Sequence, residues 1–350
     1  MTHPTTLHIG MGKAGSSTIQ AFCNENREHL FEQNVCYPKD ILNGDRLGGD
    51  NHKCLAMYCV DYRPNHIVFK QQRVQSPNQK EVFNKKVIEL YRAQLSSLPE
   101  NCHVVLSAEH FWSEVTQQSQ VMALANLFEL LDLHVERIVI YLREQSEWVE
   151  SFVHQKLTEG TATSFTLPYT LSNLEARLNY FNTLELWSSV FSHSAIEARL
   201  FKREAFPEGE LLLDFFNAAG LPIDCKNLNL DSEQYTTNES SLSVPGYQLL
   251  AAINELQKKG SDKSQFILKN RKAIIQSLKK NYFGTKSKLL TRQEMATIRE
   301  LFKGSNQNLQ SKYGIEFPLT SLDVYRGNQL KPAGGDEIIC QLTKLLLSTN

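Results

Sequence analysis

A short run of small residues near the start of the chain has the composition of an anion-binding loop. The segment from His8 to Thr18 has the pattern of a strand end, a Gly/Ser-rich loop and the beginning of a helix. Backbone N–H groups of such a loop point into one space, glycine lets the chain approach a phosphate, and the helix dipole adds positive potential. Lys13 adds a full charge, and the hydroxyls of Ser16 and Ser17 are further donors. The segment therefore predicts a site for a phosphate-like anion.

The order of residues in this loop differs from that of the Walker A motif. That motif, G-x-x-x-x-G-K-[ST], has its lysine after the last glycine. Here Lys13 precedes Gly15, and Ser16 follows it. The arrangement suits a nucleotide that carries a 5′-phosphosulfate and no Mg²⁺-bridged triphosphate. The alternative interpretation is an ordinary glycine-rich turn between a strand and a helix.

A second candidate anion site follows the most apolar strand pattern in the sequence. Residues Ile138–Leu142 are continuous and apolar, which is typical of a buried parallel strand. Arg143 follows directly, at the carboxyl edge where open α/β sheets bind ligands, and Ser151 lies eight positions later on the next predicted helix. A guanidinium and a hydroxyl that converge there would hold a second phosphate. The alternative is a surface arginine paired with Glu147 or Glu150.

Together the two motifs resemble those of the sulfotransferase superfamily that uses 3′-phosphoadenosine-5′-phosphosulfate (PAPS) as donor. In that superfamily the 5′-phosphosulfate loop reads K-[ST]-G-[ST]-[ST], and an arginine at a strand end with a serine eight residues on holds the 3′-phosphate. This chain has Lys13-Ala14-Gly15-Ser16-Ser17 and the pair Arg143 and Ser151. The stretch from His8 to Gln20 is most similar to bacterial sulfotransferase-like proteins that begin HIG-x-x-K-T-G-[ST]-[ST]-x-[IL]-Q.

The resemblance implies a three-layer α/β fold like that of P-loop NTPases, with a central parallel sheet and helices on both faces. It implies that Lys13 and residues Gly15–Thr18 hold the 5′-phosphosulfate of PAPS, that Arg143 and Ser151 hold its 3′-phosphate, and that no metal is needed. Ala14 departs from the pattern, because the usual residue has a hydroxyl. Its backbone N–H remains, so the loss of one hydrogen bond to a charged group, roughly 1.5–3 kcal/mol, would weaken PAPS binding without abolishing it.

Other stretches of the sequence also resemble stretches of these bacterial proteins and occur in the same order along the chain. The resemblance therefore spans nearly the whole chain. Each of these stretches is weak on its own. They are Asn51–Leu55, Leu106–Phe111, Arg203-Glu204 through Asp214-Phe215 to Gly220-Leu221, Asn238–Leu242, and Ser305-Asn306 before Tyr313.

Sulfuryl transfer to a hydroxyl also needs a base near the proton of the acceptor. In the cytosolic branch of the superfamily this base is a histidine just past a strand, and in glycan-modifying branches it is a glutamate. Placing Val105–Ala108 on that strand makes Glu109 our first candidate, with a surface carboxylate or helix-cap partner as the alternative. His52, in a polar stretch on the acceptor side, is second and could equally be an exposed loop histidine. His110 is third, because beside Glu109 it should point elsewhere.

Further basic residues are candidates for the same ligand. Lys13 could also stabilise the charge that develops on the bridging oxygen of the leaving phosphate. Arg203 follows the predicted strand Ala195–Phe201, which in the family precedes a segment lining the nucleotide site; a solvated charge pair is the alternative. The basic residues within Lys269–Lys272 and at Lys279-Lys280 could cover the 3′-phosphate or an anionic acceptor, or could form a solvated helical face.

The elements that must position these residues alternate between strands and helices up to about residue 234. Such alternation predicts a parallel sheet with helices on both faces. The predicted strands are 7–11, 35–37, 104–106, 138–142 and 195–201, and the predicted helices between them are 17–31, 81–98, 121–133, 148–157 and 210–219. Residues 40–80 are polar and irregular, which indicates a substrate-side insertion. Three more helices, 243–258, 265–279 and 292–313, complete one domain with an α/β core of residues 1–234 and a mainly helical extension of residues 235–350.

Composition and charge argue against several classes of protein. The 350 residues include 37 basic and 38 acidic side chains, a net charge of -1, which gives no general attraction to nucleic acid or to an anionic membrane. The seven cysteines form no C-x-x-C pair and suit a reducing compartment. The first residues lack a secretory-signal pattern, and no apolar run approaches the roughly 20 residues of a membrane helix. We therefore expect a cytoplasmic protein with neither a membrane segment nor a nucleic-acid partner.

Two other functions remain open at this point. A P-loop kinase for a small molecule would use Mg²⁺-ATP, but the position of Lys13 and the lack of a clear aspartate after Ile138–Leu142 argue against it. A non-catalytic module would bind a nucleotide or a sulfated glycan without transfer. The expected acceptor is a small molecule or a glycan. Six aromatic residues in the variable regions could stack on a sugar or simply fill the core. They are Tyr58, Tyr62, Phe69, Trp112, Tyr169 and Trp187.

Overall fold

The computed structural model describes most of the chain. The described residues are 2–40, 51–161, 175–221, 223–224, 228, 230–235, 242–258, 262–282 and 289–322. They form two compact units, each assembled from segments that are distant in the sequence. The first unit draws on residues 1–143, 179–237 and 305–317, and the second on 144–178, 238–304 and the chain from 318 on. The single domain with a core and a helical extension stays a prediction.

A parallel sheet is the framework of the first unit. Its strands are β1 His3–His8, β2 Val35–Cys36, β3 His103–Ser107, β4 Leu133–Leu142 and β5 Ile196–Leu200. All neighbouring pairs are parallel, and the strand order is β2-β3-β1-β4-β5. The predicted α/β architecture with a parallel sheet is therefore confirmed. Since β1 lies between β3 and β4, the loop that follows it stands at the middle of the carboxyl edge of the sheet.

Helices make up most of the rest of the described chain. They are α1 Ser16–Glu25, α2 Arg27–Glu32, α3 Lys53–Tyr58, α4 Ile67–Gln71, α5 Pro77–Leu95, α6 Glu109–Glu114, α7 Gln118–Leu130, α8 Gln145–Glu159, α9 Tyr180–Phe191, α10 Leu211–Ala219, α11 Ser232–Tyr235, α12 Val244–Lys258, α13 Asp262–Asn281 and α14 Arg292–Tyr313. In the first unit α7 and α10 both pack on β4, while α1 packs against α10 and α9 packs against α7. Right-handed crossovers place α1 and α10 on one face of the sheet and α7 and α9 on the other.

A buried carboxylate ties α10 to the sheet. Asp214 is fully buried and accepts hydrogen bonds from the hydroxyl of Tyr141 on β4, at 2.8 Å, and from both Nε and Nη2 of Arg199 on β5. A buried charge needs such a complete set of partners, because burying an isolated carboxylate is very costly. This network fixes the helix that lies beside the loop after β1.

The second unit is helical in its described residues. The C-terminus of α8 is capped by Arg271 of α13, whose guanidinium donates to the carbonyl oxygens of Leu157 and Thr158. The same guanidinium donates to Oδ1 of Asn254, and Nδ2 of Asn254 donates to Leu157 O at 2.8 Å. One member of the predicted basic cover, Arg271, therefore stabilises the end of a helix. Its neighbour Lys272 is exposed.

Several elements differ from the prediction. The predicted helix 17–31 is two helices that meet at Asn26, and α9 was not predicted. The prediction that residues 40–80 lack regular structure is wrong for residues 51–80. These residues include α3, α4 and the first turn of α5. These short helices are stabilised by burying Leu55, Met57 and Phe69 completely. The helices are short and have few apolar neighbours in the sequence, so their residues show no helical periodicity from which they could be predicted.

The described residues bear on the expected thiols and on membrane-spanning helices. The cysteines at positions 23, 36, 54, 59 and 102 form no disulfide, whereas Cys225 and Cys340 lie outside the described residues. Among the helices that the structure describes, none is long and apolar enough to cross a membrane.

Candidate functional site

The loop between β1 and α1 has an unusual backbone. Lys13 adopts φ +68° and Gly15 adopts φ +80°, so two of the three residues before α1 are left-handed. A hydrogen bond of 3.2 Å from Ala14 N–H to Met11 O closes the turn. A lysine in this region is strained, and such strain is often found where a loop binds a ligand.

Four backbone donors of this loop are unpaired within the described chain, although the Ala14 N–H donates to Met11 O and the Ser16 hydroxyl to Glu109. The backbone N–H groups of Lys13, Gly15, Ser16 and Ser17 have no acceptor among the described residues, and α1 has neither a capping side chain nor an acidic residue in its first turn. Lys13 Nζ likewise has no ion pair within the described chain. Four unpaired N–H groups, a helix N-terminus and an ammonium group together are suited to bind an oxyanion.

Gly15 is required by both its conformation and its neighbours. A Cβ at this position would lie 2.5 Å from Leu211 Cδ2 and 2.8 Å from Phe201 Cε2. We expect Gly15→Ala to destabilise the protein by about 1–3 kcal/mol, because the left-handed backbone and the clash both oppose it. Urea unfolding measures this directly.

A matched control for Gly15→Ala is Gly304→Ala. Gly304 lies within α14, and its Cβ would meet nothing within 4 Å. That change should raise the free energy of unfolding by up to about 1 kcal/mol, since alanine is the better helix former. Equal effects of the two substitutions would contradict the packing described for Gly15.

Glu109 lies beside the loop. It is the first residue of α6, directly after β3, and its Oε1 accepts a hydrogen bond of 2.5 Å from the hydroxyl of Ser16. Its other oxygen, Oε2, is 3.7 Å from the position of a Cβ on Gly12. The first-ranked base candidate is thus in contact with the predicted anion loop, although the two are 93 residues apart in sequence.

Arg143 reaches the same loop from the neighbouring strand. It follows β4, and its Nη1 donates to Lys13 O at 3.3 Å, while Tyr180 donates its hydroxyl to Arg143 O at 2.8 Å. The chain leaves β1 towards β2 and leaves β4 towards β5, in opposite directions, so these strands border a topological switch point. Lys13 and Arg143 therefore lie where α/β sheets place their ligands.

Ser151 is on α8 in the second unit. It is half-buried, and its hydroxyl has no partner among the described residues. Glu150, one of the alternative partners considered for Arg143, is buried and engaged within its own unit. The carboxylate oxygens of Glu150 accept hydrogen bonds from the N–H groups of Leu289 and Leu290. His154 Nε2 lies 3.1 Å from Glu150 Oε1.

His52 is a core residue. It is fully buried, its Nδ1 accepts the Ser107 N–H at 2.8 Å, and its Nε2 donates to Pro38 O at 3.0 Å. Burial lowers the pKa of His52 to about 3, against hydrogen bonds to Ser107 and Pro38 that raise it. With both nitrogens bound to backbone, His52 has no lone pair for an acceptor proton, and its surroundings favour a structural role.

His110 and Arg203 are placed less favourably than Glu109. Burial lowers the pKa of His110 to about 4, with Glu114 opposing, and its Nδ1 is buried without a hydrogen-bond partner in the described chain. Arg203 lies in a short 3₁₀ turn after β5 with 67% of its side chain exposed, and its ion pair with Glu210 is 3.9 Å long. For Arg203 the solvated charge pair is the better description.

Three of the six aromatic residues fill the core. Phe69, Trp112 and Trp187 are buried, so for these three the structure favours the core alternative over contact with a sugar. Tyr58 and Tyr62 are half-buried, and Tyr169 lies outside the described residues.

The buried carboxyl of Asp40 predicts that the stability of the folded protein depends on pH. Burial raises the pKa of this carboxyl from 3.8 to about 6, against hydrogen bonds from Cys54 N–H and the Tyr91 hydroxyl and the nearby charge of Lys53 that lower it. The folded state thus binds this proton more tightly than the unfolded chain. Its stability falls as pH rises through the window between these two values.

Asp40→Asn should remove this dependence. Relative to the wild type, its free energy of unfolding should increase by up to about 3 kcal/mol between pH 4 and pH 7. Urea unfolding of both proteins across this range provides the measurement. A difference between them that does not change with pH would contradict the assignment.

Two polar networks beside the loop were not predicted. One is the Asp214 network on β4, β5 and α10. The other joins His8, Ser107 and Gln20, with His8 Nδ1 2.8 Å from Ser107 Oγ and Gln20 Nε2 3.1 Å from the same oxygen. Their sequence signals are a serine at the end of the apolar strand β3 and an aspartate within the apolar helix α10. These signals do not identify the partners.

Comparison with known proteins provides little guidance. No family model and no solved structure matches the chain. An uncharacterized protein of Archaeoglobus fulgidus is 24% identical over 191 residues, 47% of this chain and 51% of that protein. The match thus spans about half the length of each chain. No group of three or more His, Cys, Asp or Glu side chains suited to a metal ion occurs in the described residues.

Proposed function

We propose that this protein is a sulfotransferase that moves the sulfuryl group of PAPS to a hydroxyl or amine acceptor. The observation that carries the proposal is the loop after β1, with Lys13 and four N–H groups that have no acceptor among the described residues. The donor would bind there through its 5′-phosphosulfate. A P-loop-like fold agrees with this loop's position after the central strand of the parallel sheet.

The 3′-phosphate is assigned to Arg143. Its guanidinium lies at the carboxyl edge beside the loop and contacts Lys13 O. Arginine binds a phosphate through two parallel hydrogen bonds, which gives geometric specificity. The resemblance to the superfamily motif adds the hydroxyl of Ser151, eight residues after Arg143, to this assignment.

Glu109 is the base. As the acceptor hydroxyl forms its bond to sulfur, the bond from sulfur to the bridging oxygen of the donor breaks, and Glu109 takes the hydroxyl proton. The products are a sulfate ester and adenosine 3′,5′-bisphosphate. The bridging oxygen becomes a phosphate oxygen with added charge, and Lys13 stabilises that charge. Positioning and charge neutralisation dominate such transfers.

Transfer from PAPS labelled in its sulfuryl group tests the proposal. We expect slow release of labelled sulfate without an acceptor, and labelled ester with some member of a panel of sugars, phenols and amines. Consumption of Mg²⁺-ATP with no consumption of PAPS would instead indicate a kinase. Tight binding of the bisphosphate without any turnover of PAPS would indicate a non-catalytic module.

A further inference from the structure

A histidine beneath the anion loop has one nitrogen without a partner. His8 is the last residue of β1 and is completely buried, against the ring of Phe215 at 5.5 Å and that of Tyr141 at 6.2 Å. Its Nε2 has no hydrogen-bond partner in the described part of the chain. Burial lowers the pKa of His8 to about 3, so the ring is neutral at neutral pH.

The neighbours of His8 determine which nitrogen carries its proton. Ser107 Oγ receives a hydrogen bond from Gln20 Nε2, and the other neighbour of this hydroxyl in the described chain is His8 Nδ1. We assign the arrangement in which the hydroxyl donates its proton to Nδ1, because Ser107 Oγ then accepts one hydrogen bond and donates the other. In this arrangement the ring proton of His8 is on Nε2. The unpartnered atom is a buried donor, and such donors are rarely left without an acceptor.

This donor faces the floor of the loop. A Cβ on Gly10 would lie 3.4 Å from His8 Cε1, 3.7 Å from His8 Nε2 and 2.8 Å from Ser16 Cβ. The Nε2 edge of the imidazole and the side chain of Ser16 thus border the same small space, which exists because residue 10 is a glycine. Ser16 is the residue whose hydroxyl is bound to Glu109.

The bond between Ser16 and Glu109 conflicts with the chemistry proposed for both. The Glu109 oxygen that accepts from the Ser16 hydroxyl is occupied and is not open to the proton of an acceptor. A hydroxyl that donates its single proton to Glu109 has none to donate to an anion in the loop. Binding of the anion should therefore move the Ser16 hydroxyl away from Glu109, and its oxygen would then need a new donor.

We propose that His8 is a positioning residue that provides this donor: when an anion fills the loop, His8 Nε2–H donates to Ser16 Oγ, Ser16 donates to the anion, and Glu109 is released. The inference rests on the proposed function. It links the filling of the donor site to the availability of the base, through a rotation of one serine side chain.

Four proteins test this role. His8→Gln keeps an N–H donor near the position of Nε2, His8→Asn keeps a polar group near Nδ1 alone, and His8→Phe keeps the aromatic volume without either nitrogen. Their affinities for adenosine 3′,5′-bisphosphate are measured by calorimetry beside the wild type, and urea unfolding shows that each is folded. We expect His8→Asn and His8→Phe to bind about tenfold more weakly, and His8→Gln to recover most of this loss.

Nitrogen NMR of the imidazole gives a readout that mere packing would not change. We expect the Nε2–H tautomer in the free protein and a downfield shift of that proton when the bisphosphate binds. Equal affinities of all four proteins, or an Nδ1–H tautomer, would overturn the inference and indicate a buried water at Nε2 instead.

Failure of the proposed function would be seen separately. If the wild type binds no bisphosphate, the PAPS assignment is wrong, and the four proteins are then compared with pyrophosphate, which needs the loop but not Arg143. The same ranking with pyrophosphate supports the role of His8. Equal binding, or no binding of either anion, overturns it.

Discussion

Glu109→Gln should lower the rate of sulfuryl transfer by roughly 10²–10⁴-fold, the usual contribution of a general base. The substitution is nearly isosteric, and the amide oxygen can still accept the hydrogen bond from the Ser16 hydroxyl. The position of the loop is therefore kept, while the ability to take a proton is lost. Affinity for adenosine 3′,5′-bisphosphate should not fall, because the change removes a negative charge beside an anion site.

The measurement is single-turnover transfer from labelled PAPS, with bisphosphate affinity determined in parallel. Glu114→Gln is the matched control, since Glu114 ends the same helix and is paired with Arg63 at 2.5 Å. We expect this control to transfer at close to the wild-type rate. A Glu109→Gln enzyme as active as the wild type would show that another group takes the proton.

Lys13→Met should lower turnover by roughly 10²–10³-fold, as removal of a group that stabilises transition-state charge usually does. Methionine has nearly the length of lysine and tolerates the same positive φ no better, so the backbone strain at this position is matched. Affinity for the bisphosphate should fall less, by about tenfold, because it lacks the charge that develops during transfer.

The comparison of turnover with affinity decides the role of Lys13. Lys13→Arg restores the charge and should recover part of the turnover. Lys39→Met, at an exposed lysine, controls for the loss of a positive charge elsewhere on the protein. Equal losses of turnover and affinity in Lys13→Met would mean that Lys13 binds the donor but does not stabilise the transition state. Unchanged turnover would mean that Lys13 is not part of the site.

The sheet could be predicted because its strands are marked by local composition. Ile138–Leu142 is apolar without interruption, and the structure buries all five side chains in the C-terminal half of β4. The boundaries were less accurate where burial continues beyond the strand. β1 ends at His8, three residues before the predicted end, since Ile9 and Met11 are buried in the loop and not in the sheet.

The proximity of the two proposed anion-binding residues could be predicted from position alone. Lys13 and Arg143 each follow a predicted strand, and parallel strands end at one edge, so their proximity needed only the strand order. The contact between Ser16 and Glu109 could not be predicted, because it depends on how α6 leaves β3. His52 shows the reverse failure: a polar sequence environment suggested exposure, but Pro38 and Ser107 hold the ring inside the core.

The central claim is that the loop and Arg143 bind a nucleotide with phosphates at both its 5′ and 3′ positions. Thermal unfolding of the purified protein tests it most directly, with adenosine 3′,5′-bisphosphate compared against AMP, ADP and Mg²⁺-ATP. At about 100 times its dissociation constant, a ligand stabilises the folded state by roughly 2.7 kcal/mol. We predict this stabilisation for the bisphosphate and its loss in Arg143→Ala. A response to Mg²⁺-ATP alone, or to none of the four nucleotides, would contradict the claim.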